Sequence, residues 1–323
     1  MKRPKIVVTR RWPEEVERKL SELFDTTLNE DDRPLSAEAL RAAFTEADAV
    51  LPTVSDRIDA QVLAAEPLKA RLIGSFGVGF NHIDIAAAKA RGLTVTNTPE
   101  VLTDCTADLA MTLLLMTARR AGEGERHVRH GEWTGWRPTH MMGTKVTGKT
   151  IGIIGMGRIG VAMARRAHHG FGMRVVYYDQ MPVKAEIARE LDATGHGSVE
   201  EVLESSDFVS LHCPGGEATR HLMNAERLAR MRPHAILVNS ARGDVVDEAA
   251  LLAALQAGTI AGAGLDVYER EPRVSDGLLK LENVVLLPHL GSATHETRVA
   301  MGMRVLRNVE AFFAGNRPPD VVG

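Results

Sequence analysis

The chain has 323 residues, of which 44% are hydrophobic and 25% charged, and its formal net charge at pH 7 is −3. This slightly acidic balance gives no electrostatic reason to expect nucleic acid as a partner. The two cysteines, Cys105 and Cys213, form no C-x-x-C pair, which is typical of a reducing compartment and argues against a zinc ribbon. The apolar run at 109–118 is too short to cross a bilayer, so we expect a cytoplasmic protein with no membrane partner.

Short apolar runs alternate with amphipathic segments through the first third of the chain. These runs predict strands at 5–8, 25–28, 49–52, 71–76 and 94–97. Helices are predicted at 13–24, with Pro13 in the first turn, and at 36–44, with Ser36 as the N-cap. Such alternation indicates a parallel sheet that helices cover on both faces.

A long apolar helix, predicted at 102–120, separates this first set of strands from a second one. The second set has six predicted strands, at 150–155, 174–179, 207–213, 235–240, 261–267 and 283–289. Six strands suit a complete dinucleotide-binding sheet. A last helix, at 293–314, follows that sheet, and we expect it to return to the first domain.

The predicted fold class is therefore α/β, with two Rossmann-like, doubly wound parallel-sheet domains. Residues 1–100 and 292–323 would form a discontinuous, flavodoxin-like domain, and residues 101–291 a dinucleotide-binding Rossmann domain.

A glycine motif opens the second set of strands. Residues 155–160 read Gly-Met-Gly-Arg-Ile-Gly, between a predicted strand and a predicted helix at 161–170. In this setting Gly155 permits a tight turn, Gly157 lets the backbone approach a pyrophosphate, and Gly160 allows close packing of helix and strand. The helix N-terminus supplies N–H groups for the phosphates, so the motif, including Arg158 and Ile159, predicts dinucleotide binding.

The residue at the end of the next strand bears on the choice of cofactor. Asp179 can accept hydrogen bonds from ribose hydroxyls and would repel a 2′-phosphate, and Gln180 rather than arginine follows it. NAD(H) is therefore favoured, although Arg158 and Lys184 leave NADP(H) open. The histidines show no ligand spacing, so no metal is predicted.

Three charged residues stand at or just beyond the ends of three consecutive predicted strands: Arg242, Glu271 and His289. Taken singly, each of them would most readily be explained as part of an ordinary ion pair or as a helix cap. Ligands of open α/β sheets, however, bind beyond the carboxyl ends of the strands, where all three residues stand. A histidine can donate a proton to a ketone oxygen as hydride arrives, and a neighbouring carboxylate favours its protonated form. A guanidinium can bind a substrate carboxylate in a bidentate fork. Together they predict reduction of a 2-keto acid.

The sequence resembles the D-isomer-specific 2-hydroxyacid dehydrogenases over almost its full length. The matching stretches are 78–99, 151–160, 238–251, 262–272 and 287–294. The resemblance implies that Arg242, Glu271 and His289 are catalytic and that backbone around Val78 and Gly79 also contacts substrate. It implies that Asp266 orients the nicotinamide side. Beside the glycine motif and Asp179, it assigns to the cofactor cleft Thr106, Cys213, Pro214, Thr219, Ser240, Ala241, Asp266, His289 and Gly291.

Residues 131–143 are similar to the glyoxylate/hydroxypyruvate reductase branch, also called D-glycerate dehydrogenase, of that family. In that branch a tryptophan matching Trp136 reaches the partner subunit's active site, so Trp136 is a candidate substrate contact. Simple packing within a dimerisation arm, at about 121–149, is an equal alternative. The resemblance implies a homodimer that reduces glyoxylate and hydroxypyruvate to glycolate and D-glycerate.

Three alternatives stay open at this point. The same scaffold could serve another D-2-hydroxyacid dehydrogenase or a phosphite dehydrogenase. A protein similar to the NAD-sensing corepressors would instead bind peptide partners without turning over a metabolite.

Overall fold

The computed structural model describes residues 3–322, which divide into two compact units. The first comprises residues 3–102 and 293–322, and the second residues Thr103–Ser292. In the described part of the chain, no helix is both long and apolar enough to span a membrane.

Residues 3–322 contain twelve strands and twelve α-helices. The strands are β1 (Lys5–Val8), β2 (Asp25–Thr27), β3 (Ala49–Leu51), β4 (Leu72–Gly74), β5 (Thr94–Thr96), β6 (Thr150–Ile154), β7 (Arg174–Tyr178), β8 (Thr194–Gly195), β9 (Phe208–Leu211), β10 (Ile236–Asn239), β11 (Gly262–Leu265) and β12 (Val284–Leu286). The helices are α1 (Glu14–Leu23), α2 (Ala37–Glu46), α3 (Ala60–Leu63), α4 (Ile85–Ala90), α5 (Thr103–Ala118), α6 (Ala121–Arg129), α7 (Arg158–Arg165), α8 (Ala185–Glu190), α9 (Val199–Ser205), α10 (Ala225–Arg230), α11 (Glu248–Gln256) and α12 (His295–Phe313). Short 3₁₀ or π-helical segments lie at Arg166–Gly170, Gly243–Val245 and Leu278–Lys280.

The first unit is built on a parallel sheet with the strand order β2-β1-β3-β4-β5. This is the flavodoxin-like order, and all five strands predicted for this region are present. The apolar runs of β3 and β4 are buried throughout, as expected of strands covered on both faces. Ser36 caps α2 as predicted, since its side chain accepts a hydrogen bond from the Ala39 N–H at 3.2 Å.

Helix α12 and residues 314–322 belong to this first unit. Gly302 allows α12 to lie close to α1, because a Cβ at that position would come within 2.7 Å of Val16. Beyond the helix, Val321 forms an antiparallel bridge with Thr96, and the buried Asp320 carboxylate pairs with Arg304 through two contacts of 2.7 and 2.8 Å. Residues 320–322 thus lie along β5, at one edge of the first sheet.

The second unit contains a parallel sheet with the order β12-β11-β10-β9-β6-β7-β8. Renumbered within the unit, this is the Rossmann order 3-2-1-4-5-6 with one strand added beyond the sixth. The prediction of six strands was wrong by one. The strand that it missed is β8, which has only two residues, both exposed, and therefore no apolar run to mark it.

The long helix predicted at 102–120 is α5, and it is buried along much of its length. It packs closely on β11, whose Gly262 and Gly264 carry no side chain to separate helix from sheet. A Cβ at Gly264 would lie 3.0 Å from Leu113 and from Thr117. Thr106, in the first turn of α5, is buried.

Candidate active site

The residues predicted to be catalytic all emerge at one edge of the second sheet. Strands β10, β11 and β12 are parallel neighbours, and they end at Asn239, Leu265 and Leu286. Arg242, Glu271 and His289 follow these three ends in turn. Because the carboxyl ends of parallel strands meet at the same edge, the fold brings these three chain segments to one place.

His289 and Glu271 form a direct pair. The imidazole Nδ1 of His289 lies 2.8 Å from Oε2 of Glu271, while Oε1 accepts the Tyr268 N–H at 3.1 Å. Burial acts to raise the pKa of Glu271, but the hydrogen bond and charge of His289, the Tyr268 N–H and the Arg242 charge together lower it below its usual value. Glu271 is therefore ionised near neutral pH. Since Nδ1 faces this carboxylate, Nε2 is the ring nitrogen left for another partner.

Asp266 holds the backbone that carries His289. His289 lies in the left-handed region with a φ of +55°, where non-glycine residues are uncommon. Its N–H donates to the Asp266 carbonyl at 2.9 Å, and the Leu290 and Gly291 N–H groups donate to the two carboxylate oxygens at 2.6 and 2.8 Å. Asp266 is fully buried, and this burial raises its pKa to about 6 although those N–H groups and His289 act in the opposite direction.

Arg242 is placed by a turn that Asn239 closes. The Asn239 side chain accepts the Ala241 N–H at 3.0 Å and donates to the Arg242 carbonyl at 2.9 Å. Gly243 is required next, because any Cβ there would collide with the Tyr268 backbone. Sequence reasoning missed Asn239, although an asparagine at a strand end is a known turn signal.

The guanidinium of Arg242 donates to the Ala241 carbonyl at 2.6 Å, and no carboxylate of residues 3–322 forms an ion pair with it. Burial lowers the pKa of Arg242, whereas the charges of Glu271 and Asp244 oppose this change. A half-buried guanidinium without an ion-pair partner is suited to binding an anionic ligand.

The glycine turn has the geometry that its sequence predicts. Gly155 adopts a φ of +95°, and a Cβ there would lie 2.7 Å from the Cys213 backbone nitrogen. Gly160 lies so close to the Gly155 carbonyl that no side chain fits between them. Around Gly157, which precedes α7, a Cβ would meet nothing within 4 Å. The turn is thus packed on its inner side and open at Gly157, where a pyrophosphate would approach.

Asp179 follows β7, and backbone groups hold both of its carboxylate oxygens. Oδ2 accepts the Met156 N–H of the glycine turn at 2.6 Å, and Oδ1 accepts the Met181 N–H at 2.7 Å. Each oxygen keeps acceptor capacity for a further donor such as a ribose hydroxyl. Sequence reasoning did not foresee that this residue also holds the glycine turn.

Several other residues assigned to the cofactor cleft line the same edge of the sheet. The Ser240 hydroxyl is buried and has no hydrogen-bond partner in the described structure, as expected if a ligand completes it. Thr219 donates to the Pro214 carbonyl at 2.5 Å. Burial, with smaller contributions from the charges of Asp244 and Asp179, raises the pKa of Cys213 to about 11. Thr106 is buried, and its side chain would lie 3.4 Å from a Cβ at Gly291.

Three predicted site residues, Val78, Gly79 and Trp136, do not follow a strand of the second sheet in the chain. Val78 and Gly79 belong to the first unit and follow β4; the Asn97 side chain donates to the Val78 carbonyl at 2.8 Å. Trp136 follows α6 and is 83% exposed. Among residues 3–322, no group of three or more His, Cys, Asp or Glu side chains could hold a metal ion.

The sheet order, the glycine turn and the histidine–carboxylate pair beyond the strand ends define an NAD(P)-dependent dehydrogenase. Comparison with known proteins gives the family. Residues 111–291 match the model of the D-isomer specific 2-hydroxyacid dehydrogenase, NAD binding domain, and the chain belongs to the D-isomer-specific 2-hydroxyacid dehydrogenases.

Relatives match over nearly the full length of the chain. It is 48% identical to a glyoxylate reductase of Korarchaeum cryptofilum, with 99% of this chain and 96% of that protein covered. The glyoxylate reductase of Thermococcus kodakarensis is also 48% identical, with the same coverage. Among solved structures, an NADPH-dependent glyoxylate/hydroxypyruvate reductase of Sinorhizobium meliloti, in complex with NADP and malonate, superposes with a TM-score of 0.88. It is 37% identical, and 99% of this chain and 97% of that chain are covered.

Proposed function

We propose that the protein reduces glyoxylate and hydroxypyruvate to glycolate and D-glycerate with a reduced nicotinamide dinucleotide. The observation that carries the proposal is the unpaired Arg242 guanidinium at the sheet edge that also carries the His289–Glu271 pair. A small 2-keto acid has a carboxylate that the Arg242 guanidinium can bind and a carbonyl oxygen that His289 can protonate. The names of the similar proteins support the same substrate class.

Each residue then has one task. Arg242 binds the substrate carboxylate and orients the adjacent carbonyl. His289, protonated on both nitrogens, donates the Nε2 proton to the carbonyl oxygen and is left neutral. Glu271 accepts from Nδ1, which stabilises the imidazolium and prevents the ring from turning. The bound dinucleotide supplies the hydride that the carbonyl carbon receives.

The residues present fit such a dinucleotide. The open space at Gly157, the N–H groups at the start of α7 and the unpartnered Ser240 hydroxyl offer room and hydrogen bonds for it. We assign Thr106, Cys213, Pro214, Thr219, Ala241 and Gly291 to the same cleft. The contributions of Val78 and Gly79 to substrate binding remain predictions.

For the cofactor we propose a preference for NAD(H), which the Asp179 carboxylate supports by charge. Asp179→Asn keeps an acceptor for the Met156 N–H but removes the negative charge. The ratio of kcat/KM for NADPH to that for NADH should then rise by about tenfold, as expected for roughly 1.4 kcal/mol of lost repulsion. An unchanged ratio would show that another feature sets the preference.

A homodimer is the proposed assembly, with the arm at about 121–149 as its interface. In this segment four large apolar side chains are exposed, those of Val128, Trp133, Trp136 and Met142. Isolated exposed apolar residues are ordinary, but a group within one segment is typical of an interface. Sedimentation of the wild type as a monomer at micromolar concentration would refute the assembly. Low cysteine content also supports the proposed cytoplasmic location.

The central experiment compares wild type with His289→Ala. We expect wild type to oxidise NADH with glyoxylate and with hydroxypyruvate. The variant should lose at least about 100-fold in kcat, the usual contribution of a positioned acid, while it binds NADH normally by fluorescence titration. Turnover of neither substrate by the wild type would move the assignment to another 2-keto acid or to phosphite oxidation. Retained kcat in His289→Ala would refute the proton-donor role.

A further inference from the structure

Asp244 links the turn that carries Arg242 to the loop at 214–221 through hydrogen bonds. It lies in the 3₁₀ turn directly after Arg242. Its Oδ2 accepts the Gly216 N–H at 2.9 Å, and its backbone carbonyl accepts the His221 N–H at 2.8 Å. Two hydrogen bonds, one near each end of the loop, therefore link it to the turn that presents Arg242.

The Asp244 carboxylate also lies beside the Arg242 side chain. A Cβ at Gly215 would come within 2.5 Å of Asp244 Oδ1 and 2.8 Å of Arg242 Cβ, so both side chains converge on this glycine. The carboxylate makes no ion pair with the guanidinium, yet its charge acts on Arg242. It therefore offsets part of the positive charge without blocking the guanidinium.

We propose that Asp244 is a positioning residue with two separable effects, one through its hydrogen bond and one through its charge. The acceptor holds the loop at 214–221 in the conformation that binds the dinucleotide. The negative charge weakens the attraction of Arg242 for an anionic ligand, which raises KM for the keto acid and eases release of the hydroxy acid. This inference rests on the proposed function, in which both substrate and product are carboxylates.

Two substitutions separate these effects. Asp244→Asn keeps an oxygen acceptor for the Gly216 N–H but removes the charge, so KM for glyoxylate should fall several-fold with little change in the Kd for NADH. Asp244→Ala removes both, so KM for glyoxylate should fall while the Kd for NADH rises several-fold, because the Gly216 N–H loses its acceptor. Glu217→Gln is the matched control: it removes one charge from the same loop at an exposed side chain, and it should leave both constants unchanged.

Each effect can fail independently. An unchanged or higher glyoxylate KM in Asp244→Asn overturns the effect of charge, and an unchanged NADH Kd in Asp244→Ala overturns the effect of the hydrogen bond. Oxamate binding to the NADH-loaded protein, followed by NADH fluorescence, measures the charge effect without turnover. If wild type turns over no keto acid yet Asp244→Asn binds oxamate more tightly, the proposed function fails and the inference about Asp244 stands. Oxamate affinity equal in wild type and Asp244→Asn contradicts the charge effect in either case.

Discussion

The Oε2 atom of Glu271 lies 2.8 Å from Nδ1 of His289, across 18 residues of sequence. The other oxygen of Glu271 accepts the Tyr268 N–H, so both carboxylate oxygens are engaged. A carboxylate held in this way restricts the imidazole to one orientation and places a counter-charge beside it. The pair therefore sets the direction in which Nε2 points.

Replacing the charge of Glu271 should slow reduction. In Glu271→Gln the side chain still offers an oxygen to His289, but the imidazolium that donates the proton loses its counter-charge. The kcat/KM for glyoxylate should fall by about tenfold, as expected for roughly 1.4 kcal/mol of lost electrostatic stabilisation. Glu269→Gln, two residues earlier, should change kcat/KM far less, because Glu269 pairs with Arg220 and His221 instead. An unchanged kcat/KM in Glu271→Gln contradicts the role assigned to the carboxylate.

Removing the guanidinium of Arg242 should act mainly on the keto acid. Arg242→Ala should raise KM for glyoxylate by about 10- to 100-fold, the cost of losing hydrogen bonds to a charged group. Arg242→Lys should recover only part of this loss, since an ammonium cannot form the planar fork. Steady-state kinetics at saturating NADH measure the effect, and fluorescence titration should show an unchanged Kd for NADH. A normal glyoxylate KM in the alanine variant would mean that another cation binds the carboxylate.

Because the pKa of Asp266 is raised, we expect the free energy of unfolding of the wild type to depend on pH. With a folded-state pKa of about 6 against an ordinary value of 3.8, the folded protein holds the proton more tightly than the unfolded chain. Its contribution to stability is therefore complete below about pH 4 and is lost as pH rises through about 6.

Asp266→Asn has no such titration, so unfolding by denaturant at several pH values tests this contribution. The variant should be less stable than wild type at pH 4. Its side-chain NH2 group would face one of the two backbone N–H donors, those of Leu290 and Gly291, and cannot accept a hydrogen bond from it. Its deficit should shrink as pH rises to 6 and then stay constant. A deficit that is independent of pH would show that the carboxyl titrates near its ordinary value.

The ion pair between Asp320 and Arg304 should contribute to the stability of the first unit. Asp320→Ala removes the bidentate contact with Arg304 and the hydrogen bond from Asn308, and should cost about 3 kcal/mol in the free energy of unfolding. The hydrogen bond from Arg304 lowers the pKa of Asp320, and the hydrogen bond from Asn308 acts in the same direction. Burial acts to raise this pKa but is the smaller effect. The stabilisation is thus present above its ordinary pKa of 3.8 and lost as pH falls through the lower folded-state value. A loss well below 1 kcal/mol would contradict this account.

Much of the fold could be read from local patterns. Alternating apolar and amphipathic runs predicted both parallel sheets and the buried helix α5, because period and burial are properties of consecutive residues. The glycine turn could also be predicted from the sequence. A φ of +95° at Gly155 and the close contact at Gly160 exclude most other residue types at these two positions. The strand-end positions of Arg242, Glu271 and His289 followed from the same patterns.

Local patterns are therefore enough to give the fold class and the residue types at the ends of the strands. Which atoms meet depends on the tertiary structure: Nδ1 of His289 faces Glu271, Asp266 accepts two N–H groups from the segment after His289, and Asp179 holds the glycine turn. The difference lies in the range over which these interactions act. A hydrogen bond across about twenty residues depends on strand register and on the path of two loops, and neither is encoded in the local periodicity of apolar residues.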